Sequence, residues 1–128
     1  MKYLLDTHTF IWWDSQPSLL SSNVLALLHD PAHDLLLSNA SVWEMQIKSQ
    51  LGKLELGLSL RELIESQQRV NQIELLPIHL EHVLAVGSLP LHHRDPFDRM
   101  LIAQAVTEDA TLVSKDSAFA KYQLPVIW

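Results

Sequence analysis

The chain has 128 residues, enough for a hydrophobic core of its own, and its 48% hydrophobic content excludes a disordered chain. It has no cysteine, which excludes disulfide and thiolate-metal chemistry, and its net charge of −6 with nine scattered basic residues excludes a broad cationic stripe for phosphates. Apolar runs such as Leu75-Leu76-Pro77-Ile78-His79-Leu80 break well short of the roughly 20 residues of a spanning helix, and the N-terminus carries no secretory leader, so the expected address is the cytoplasm.

In chain order, apolar runs of strand length alternate with segments of helical period, the pattern of a parallel sheet covered by helices. Tyr3 to Asp6 reads as the first strand. After the turn residues Asp14, Ser15 and Pro17, a helix is predicted from Ser21 to His29, capped by Ser21 or Ser22 and stopped by Asp30-Pro31. Asp34 to Asn39 reads as a buried strand, followed by a helix from Ala40 to Gln50 that Gly52 ends. Leu51 to Leu58 is a loop, and Ser59 with Glu62 forms a capping box for a helix to about Val70.

A strand over Ile73–Ile78 and a helix from about Leu80 to Val86 come next. The irregular piece Gly87 to Pro96 holds two prolines, two adjacent histidines and Arg94-Asp95. Pro96 suits the first position of a helix to Glu108. The strand Thr111 to Lys115, a helix from Ser117 to about Tyr122 and a strand from Pro125 to Trp128 close the chain. The expected architecture is a three-layer α/β/α sandwich around a central parallel sheet of four to five strands, with residues 1–128 as one domain.

Two of the strands run straight into a carboxylate, Tyr3-Leu4-Leu5-Asp6 and Thr111-Leu112-Val113-Ser114-Lys115-Asp116. If they are neighbours, Asp6 and Asp116 lie side by side at the edge where open α/β sheets carry their sites. Glu44, in the second turn of a helix, and Asp95 and Asp98, at the start of another, can reach the same edge. Each also has an ordinary use. Asp6, Asp116 and Asp95 suit helix caps, Glu44 suits a pair with Lys48 four residues on, and Asp98 suits the helix dipole or a pair with Arg94 or Arg99.

Four blocks occur together in one order: Leu4-Leu5-Asp6-Thr7-His8-Thr9-Phe10-Ile11-Trp12-Trp13, then Leu37-Ser38-Asn39-Ala40-Ser41-Val42-Trp43-Glu44, then the run from His93-Arg94-Asp95-Pro96-Phe97-Asp98-Arg99 to Ala105, and Leu112-Val113-Ser114-Lys115-Asp116. In this order, over nearly the whole chain, they resemble PIN-domain proteins of the VapC toxin type. The resemblance implies a ribonuclease working with a carboxylate cluster and Mg²⁺ or Mn²⁺, usually paired with a small VapB-like antitoxin. It also implies an RNA substrate and a homodimer, and no membrane partner. Its acidic positions fall on Asp6, Glu44, Asp98 and Asp116. Asp98 is favoured over its neighbour Asp95 because the apolar helix that follows fits it. Asp95 is then a cap or outer support, and Thr7, His8 and Ser114, beside the strand-end acids, are read as further support.

Carboxylate oxygens suit Mg²⁺ or Mn²⁺, and Mg²⁺ takes only one or two of them directly while keeping waters and substrate phosphate. The working assignment is Asp6 and Asp98 as principal ligands, Asp116 as a second or water-mediated ligand, and Glu44 orienting the attacking water. The alternative function is a catalytically silent acidic pocket that captures a basic partner segment.

A zinc site built from His79, His82, His92 and His93 is disfavoured, since adjacent residues point apart and no His-x3-His pair stands on a helix. His8 is the histidine expected at the site edge. Trp12, Trp13 and Trp43 suit packing or a dimer interface better than base stacking. Leu54, Leu56, Leu58 and Leu60 suit burial slightly better than a partner surface. A receiver-like phosphoacceptor needs an Asp where the second strand ends Leu37-Ser38-Asn39, and a haloacid-dehalogenase-like phosphatase needs one where His8 stands.

Overall fold

The structure, a computed structural model, describes residues 1–128. Five strands form one all-parallel sheet: β1 (Lys2–Leu5), β2 (Asp34–Ser38), β3 (Glu74–Leu76), β4 (Thr111–Val113) and β5 (Val126–Ile127), in the order β3-β2-β1-β4-β5. Six helices accompany them: α1 (Thr7–Ser15), α2 (Ser22–His29), α3 (Asn39–Gln50), α4 (Leu60–Asn71), α5 (Leu80–Val86) and α6 (Pro96–Thr107). The expected layered parallel-sheet architecture is the one observed.

The strand interiors are apolar because parallel strands are covered on both faces, and alternate residues sort to opposite sides. Tyr3 and Leu5 join Phe10 and Trp13 of α1, Val24 of α2, Met45 of α3 and Leu63 of α4 in one core cluster. Leu4 between them joins Leu101 and Ile102 of α6, with Phe119, in the other. Leu54, Leu56 and Leu60 pack against the first cluster while Leu58 stays exposed, so burial is their main use. No helix is long and apolar enough to cross a membrane.

β1 lies between β2 and β4, with Leu5 opposite Leu37 on one side and Val113 on the other. The chain builds outward from β1 to β3 and then returns to start again at β4. The strand order therefore reverses between β1 and β4, where a crevice opens at the strands' carboxyl ends. Asp6 and Asp116 follow those two strands.

Three local differences from the sequence reading have physical causes. Helix α1 has no assignment there because its apolar residues show no one-sided period: Thr7, Thr9, Phe10 and Trp13 are buried, and Ile11 and Trp12 also pack on the core. The strand expected over Ile73–Ile78 is reduced to Glu74–Leu76, since Pro77 has no N–H for the ladder. The last helical segment is a 3-10 turn, Ser117–Lys121. Gly52 takes a φ of +70° just beyond α3, the left-handed stop expected of it.

Candidate active site at the carboxyl edge of the sheet

Helix caps at this edge place the acids. The Asp6 carboxylate accepts the Thr9 N–H at 2.7 Å and so starts α1. Ser38 caps α3, which carries Glu44 inward one turn later. Asp95 accepts the N–H groups of Phe97 and Asp98 at 2.8 and 3.1 Å and starts α6. Asp116 accepts the Ala118 N–H at 2.9 Å and starts the 3-10 turn. The capping reading of Asp6, Asp95 and Asp116 is therefore correct, and capping leaves them at the same edge as Glu44 and Asp98.

All five acids line one cavity of about 130 Å³, together with Thr7, His8, Lys48 and Phe119. Asp6 and Glu44 are buried, Asp98 is partly covered and Asp116 is exposed, so the cluster grades from core to solvent. A second recess of about 330 Å³, sharing Asp6, His8 and Asp116, adds Trp12 and Lys115.

Individual contacts set the orientations. The Ser114 hydroxyl donates to Asp6 Oδ2 and accepts the Asp116 N–H at 3.0 Å, tying the two strand ends together. Thr9 Oγ donates to Val113 O at 3.0 Å and reinforces the link between β1 and β4. The Thr7 hydroxyl donates to Glu44 Oε1 at 2.7 Å, with Ser41 Oγ 2.9 Å away, and Lys48 Nζ meets Glu44 Oε2 at 2.8 Å. The helix pair expected of Glu44 thus exists, on a buried carboxylate.

Asp98 is the outlier. Burial, then the neighbouring charges of Asp95, Glu44, Asp116 and Asp6, push its carboxyl from the ordinary 3.8 up to about 7. Among the cavity residues the only lysine is Lys48, and it is spent on Glu44. Arg99, next in sequence, points away and donates to the carbonyls of Val86, Leu89 and Pro90.

His93 also belongs here, though the sequence reading singled out His8. His8 is exposed on the cavity wall, whereas His93 enters from the loop before α6 and leaves only 10% of its side chain exposed. Its Nε2 lies 4.0 Å from Asp98 Oδ2 and 3.9 Å from Asp116 Oδ2 and has no hydrogen-bond partner. Its ring stacks on Phe119 at 5.0 Å between centroids and meets the Tyr122 hydroxyl at 3.2 Å through Nδ1. His92 faces outward, as expected of an adjacent pair. The signal available in the sequence was the position of His93 two residues before the Asp95 cap.

An open parallel α/β fold with a crowded, cation-poor carboxylate cavity at its switch point defines a class of acidic-site α/β domains. The PIN domain family model matches residues 3–124, and the chain belongs to that family. It is 24% identical over 124 residues to Ribonuclease VapC22 of Mycobacterium tuberculosis, covering 95% of this chain and 92% of that protein. VapBC2 from Rickettsia felis, solved with a DNA fragment from its promoter, superposes with a TM-score of 0.76 at 18% identity, covering 99% of this chain and 98% of that one. VapBC from Salmonella typhimurium, also DNA-bound, gives 0.70 at 14% identity, covering 99% and 97%. The resemblance carried by the four sequence blocks is borne out at the level of family and fold.

Proposed function

We propose that this chain is a metal-dependent endoribonuclease and the toxin of a toxin–antitoxin pair. The observation that carries the reading is the convergence of Asp6, Glu44, Asp95, Asp98 and Asp116 on one cavity that has a single, already paired lysine. Membership of the PIN family and the ribonuclease name of the Mycobacterium tuberculosis relative support it. The VapBC complexes among the structural neighbours support a VapB-like antitoxin as partner. A homodimer and a cytoplasmic site of action complete the proposal.

The residues fit a divalent ion. Hard oxygen donors converge, and Asp98, pushed up first by burial and then by the neighbouring acids, stands in a negative field that a cation would relieve. Asp6 and Asp98 would hold Mg²⁺ or Mn²⁺, with Asp116 beside them. When bound, such an ion supplies Lewis-acid polarisation of the scissile phosphate and stabilisation of developing negative charge.

The chain's own groups do the rest. Glu44, clamped by Thr7 on one oxygen and Lys48 on the other, orients the water that attacks phosphorus. Ser114 holds Asp6 in a fixed orientation. Lys115, Trp12 and His8 line the adjoining recess, which offers a cation and aromatic faces to an RNA strand.

Purified chain, freed of any partner and incubated with single-stranded RNAs and Mg²⁺ or Mn²⁺, should cleave, and Asp6→Asn and Asp98→Asn should abolish cleavage while remaining folded. No cleavage by the wild type on any RNA, or undiminished cleavage by both variants, would overturn the reading in favour of an acidic pocket that only binds a basic segment.

A further inference from the structure

We infer that His93 is a ligand in the acidic site, forming with Asp98 and Asp116 a mixed imidazole–carboxylate site that prefers a borderline first-row ion such as Mn²⁺ to Mg²⁺. The inference rests on the metal-dependent reading above and adds to it a nitrogen ligand and a resulting ion preference.

The acids alone would not carry it. The independent observation is the buried Nε2 of His93, which is aimed between two carboxylates and has no partner. At 3.9 and 4.0 Å from Asp116 and Asp98, it is too far for a hydrogen bond. Two ligands that each sit about 2.1 Å from a shared ion are separated by up to about 4.2 Å. One donor atom each from His93, Asp98 and Asp116 lie within 4.8 Å of one another, so one ion could be reached by all three with small side-chain rotations.

The other side of the ring supports the same assignment. Tyr122 Oη accepts the backbone N–H of His93 at 2.9 Å and lies 3.2 Å from Nδ1. A hydroxyl oxygen can accept twice, so it can also take the Nδ1–H. That tautomer directs the Nε2 lone pair at the acids, as in metal-bound histidines whose outer nitrogen donates to a fixed partner. Either tautomer leaves the buried Nε2 without a partner in the protein, and with the lone pair outward a cation held between the ring and the two acids satisfies all three groups. Stacking on Phe119 and the grip of Arg99 on the carbonyls of Val86, Leu89 and Pro90 hold the ring and the loop that carries it.

The chemical consequence is selectivity. Imidazole suits borderline transition ions, whereas Mg²⁺ prefers oxygen and retains its waters. Of the other histidines, His8 is exposed on the cavity wall, His82 is bonded to Glu108, and His92 faces solvent.

The test is pulsed EPR of the Mn²⁺-loaded full chain together with calorimetric titration by Mn²⁺ and Mg²⁺. The wild type should show ¹⁴N hyperfine coupling from a directly bound imidazole. His93→Phe, which keeps the stacking, and His93→Gln, which keeps a polar side chain, should both lose that coupling. Both should bind Mn²⁺ roughly tenfold or more weakly, the scale at which even outer partners of a metal act, with little change for Mg²⁺. Saturable Mn²⁺ binding without nitrogen coupling in the wild type, or equal weakening for both ions in both variants, would overturn the His93 assignment and leave the carboxylate site standing. Absence of any saturable binding of either ion would overturn both readings.

Discussion

Two histidines in this chain are buried beside carboxylates, and they differ in what surrounds them. His82, 1% exposed on α5, is paired at both ring nitrogens. Its Nδ1 accepts the His79 N–H at 3.0 Å, and its Nε2 donates to Glu108 Oε2 at 3.0 Å. Gln104 stands 3.3 Å from the same Nδ1 and donates to Pro77 O, while Lys2 approaches Glu108 at 4.0 Å. The charges and ring nitrogens at that end of the sheet are paired, with only Gln104 Oε1 left without a partner, and such a buried polar network locks two helices together. His93, at the opposite end, has an open nitrogen before two acids, and Asp98 beside it is pushed to about 7. Satisfied polarity holds the fold together, while polarity left unbalanced in a cleft marks the place for a ligand.

Four measurements would break or sharpen this contrast. The largest effect is expected from Glu44→Gln, which leaves the Thr7 contact available but removes the charge facing the reaction. Single-turnover RNA cleavage should fall by about 10²–10⁴-fold with the fold retained, and a loss under tenfold would remove Glu44 from water orientation. His82→Ala should instead cost about 2–4 kcal/mol in urea unfolding, because it empties buried volume and strands Glu108 and the His79 N–H. Its metal-induced rise in melting temperature should match that of the wild type. A lost metal response at full folding would mean that the two ends are not independent.

The third measurement is pH dependence in chelator. Between about pH 3.8 and 7 the folded chain keeps a proton on Asp98 that the unfolded chain releases. The stability associated with that proton is therefore fully present below about pH 3.8 and lost as pH rises through about 7. Urea midpoints should fall from pH 5 to pH 8, Asp98→Asn should flatten the slope, and Mg²⁺ or Mn²⁺ should restore the midpoint at pH 8. An identical slope in the variant would shift the effect to other groups. The smallest change is expected from Asp95→Ala, about 1 kcal/mol from a lost N-cap, and a much larger loss of cleavage than of stability would assign Asp95 a direct part in the site.

The sequence made most of the sheet legible because buried parallel strands are short apolar runs with marked ends. Leu4-Leu5-Asp6 and Leu112-Val113-Ser114 needed only adjacency to bring their acids together, and the β1–β4 pairing provides it. Helix α1 was not legible, since aromatic and β-branched residues packed on more than one side of it leave no amphipathic period. The inward turn of His93 was hidden for a different reason. It depends on Arg99 gathering the carbonyls of a loop without repeating structure, and on a stacking partner, Phe119, that lies 26 residues further along the chain. The exposed Trp43 is similar: 60% exposed, it meets Phe97 of α6 edge-on at 5.2 Å, a contact between helices that no local pattern encodes.

Asp6 is gripped from two directions, by the Thr9 N–H on one oxygen and by the Ser114 hydroxyl on the other, while the side chain of Asp98 makes no hydrogen bond at all. The protein thus sets the orientation of Asp6 at the sheet edge, and leaves that of Asp98, on the first turn of α6, to whatever enters the cavity.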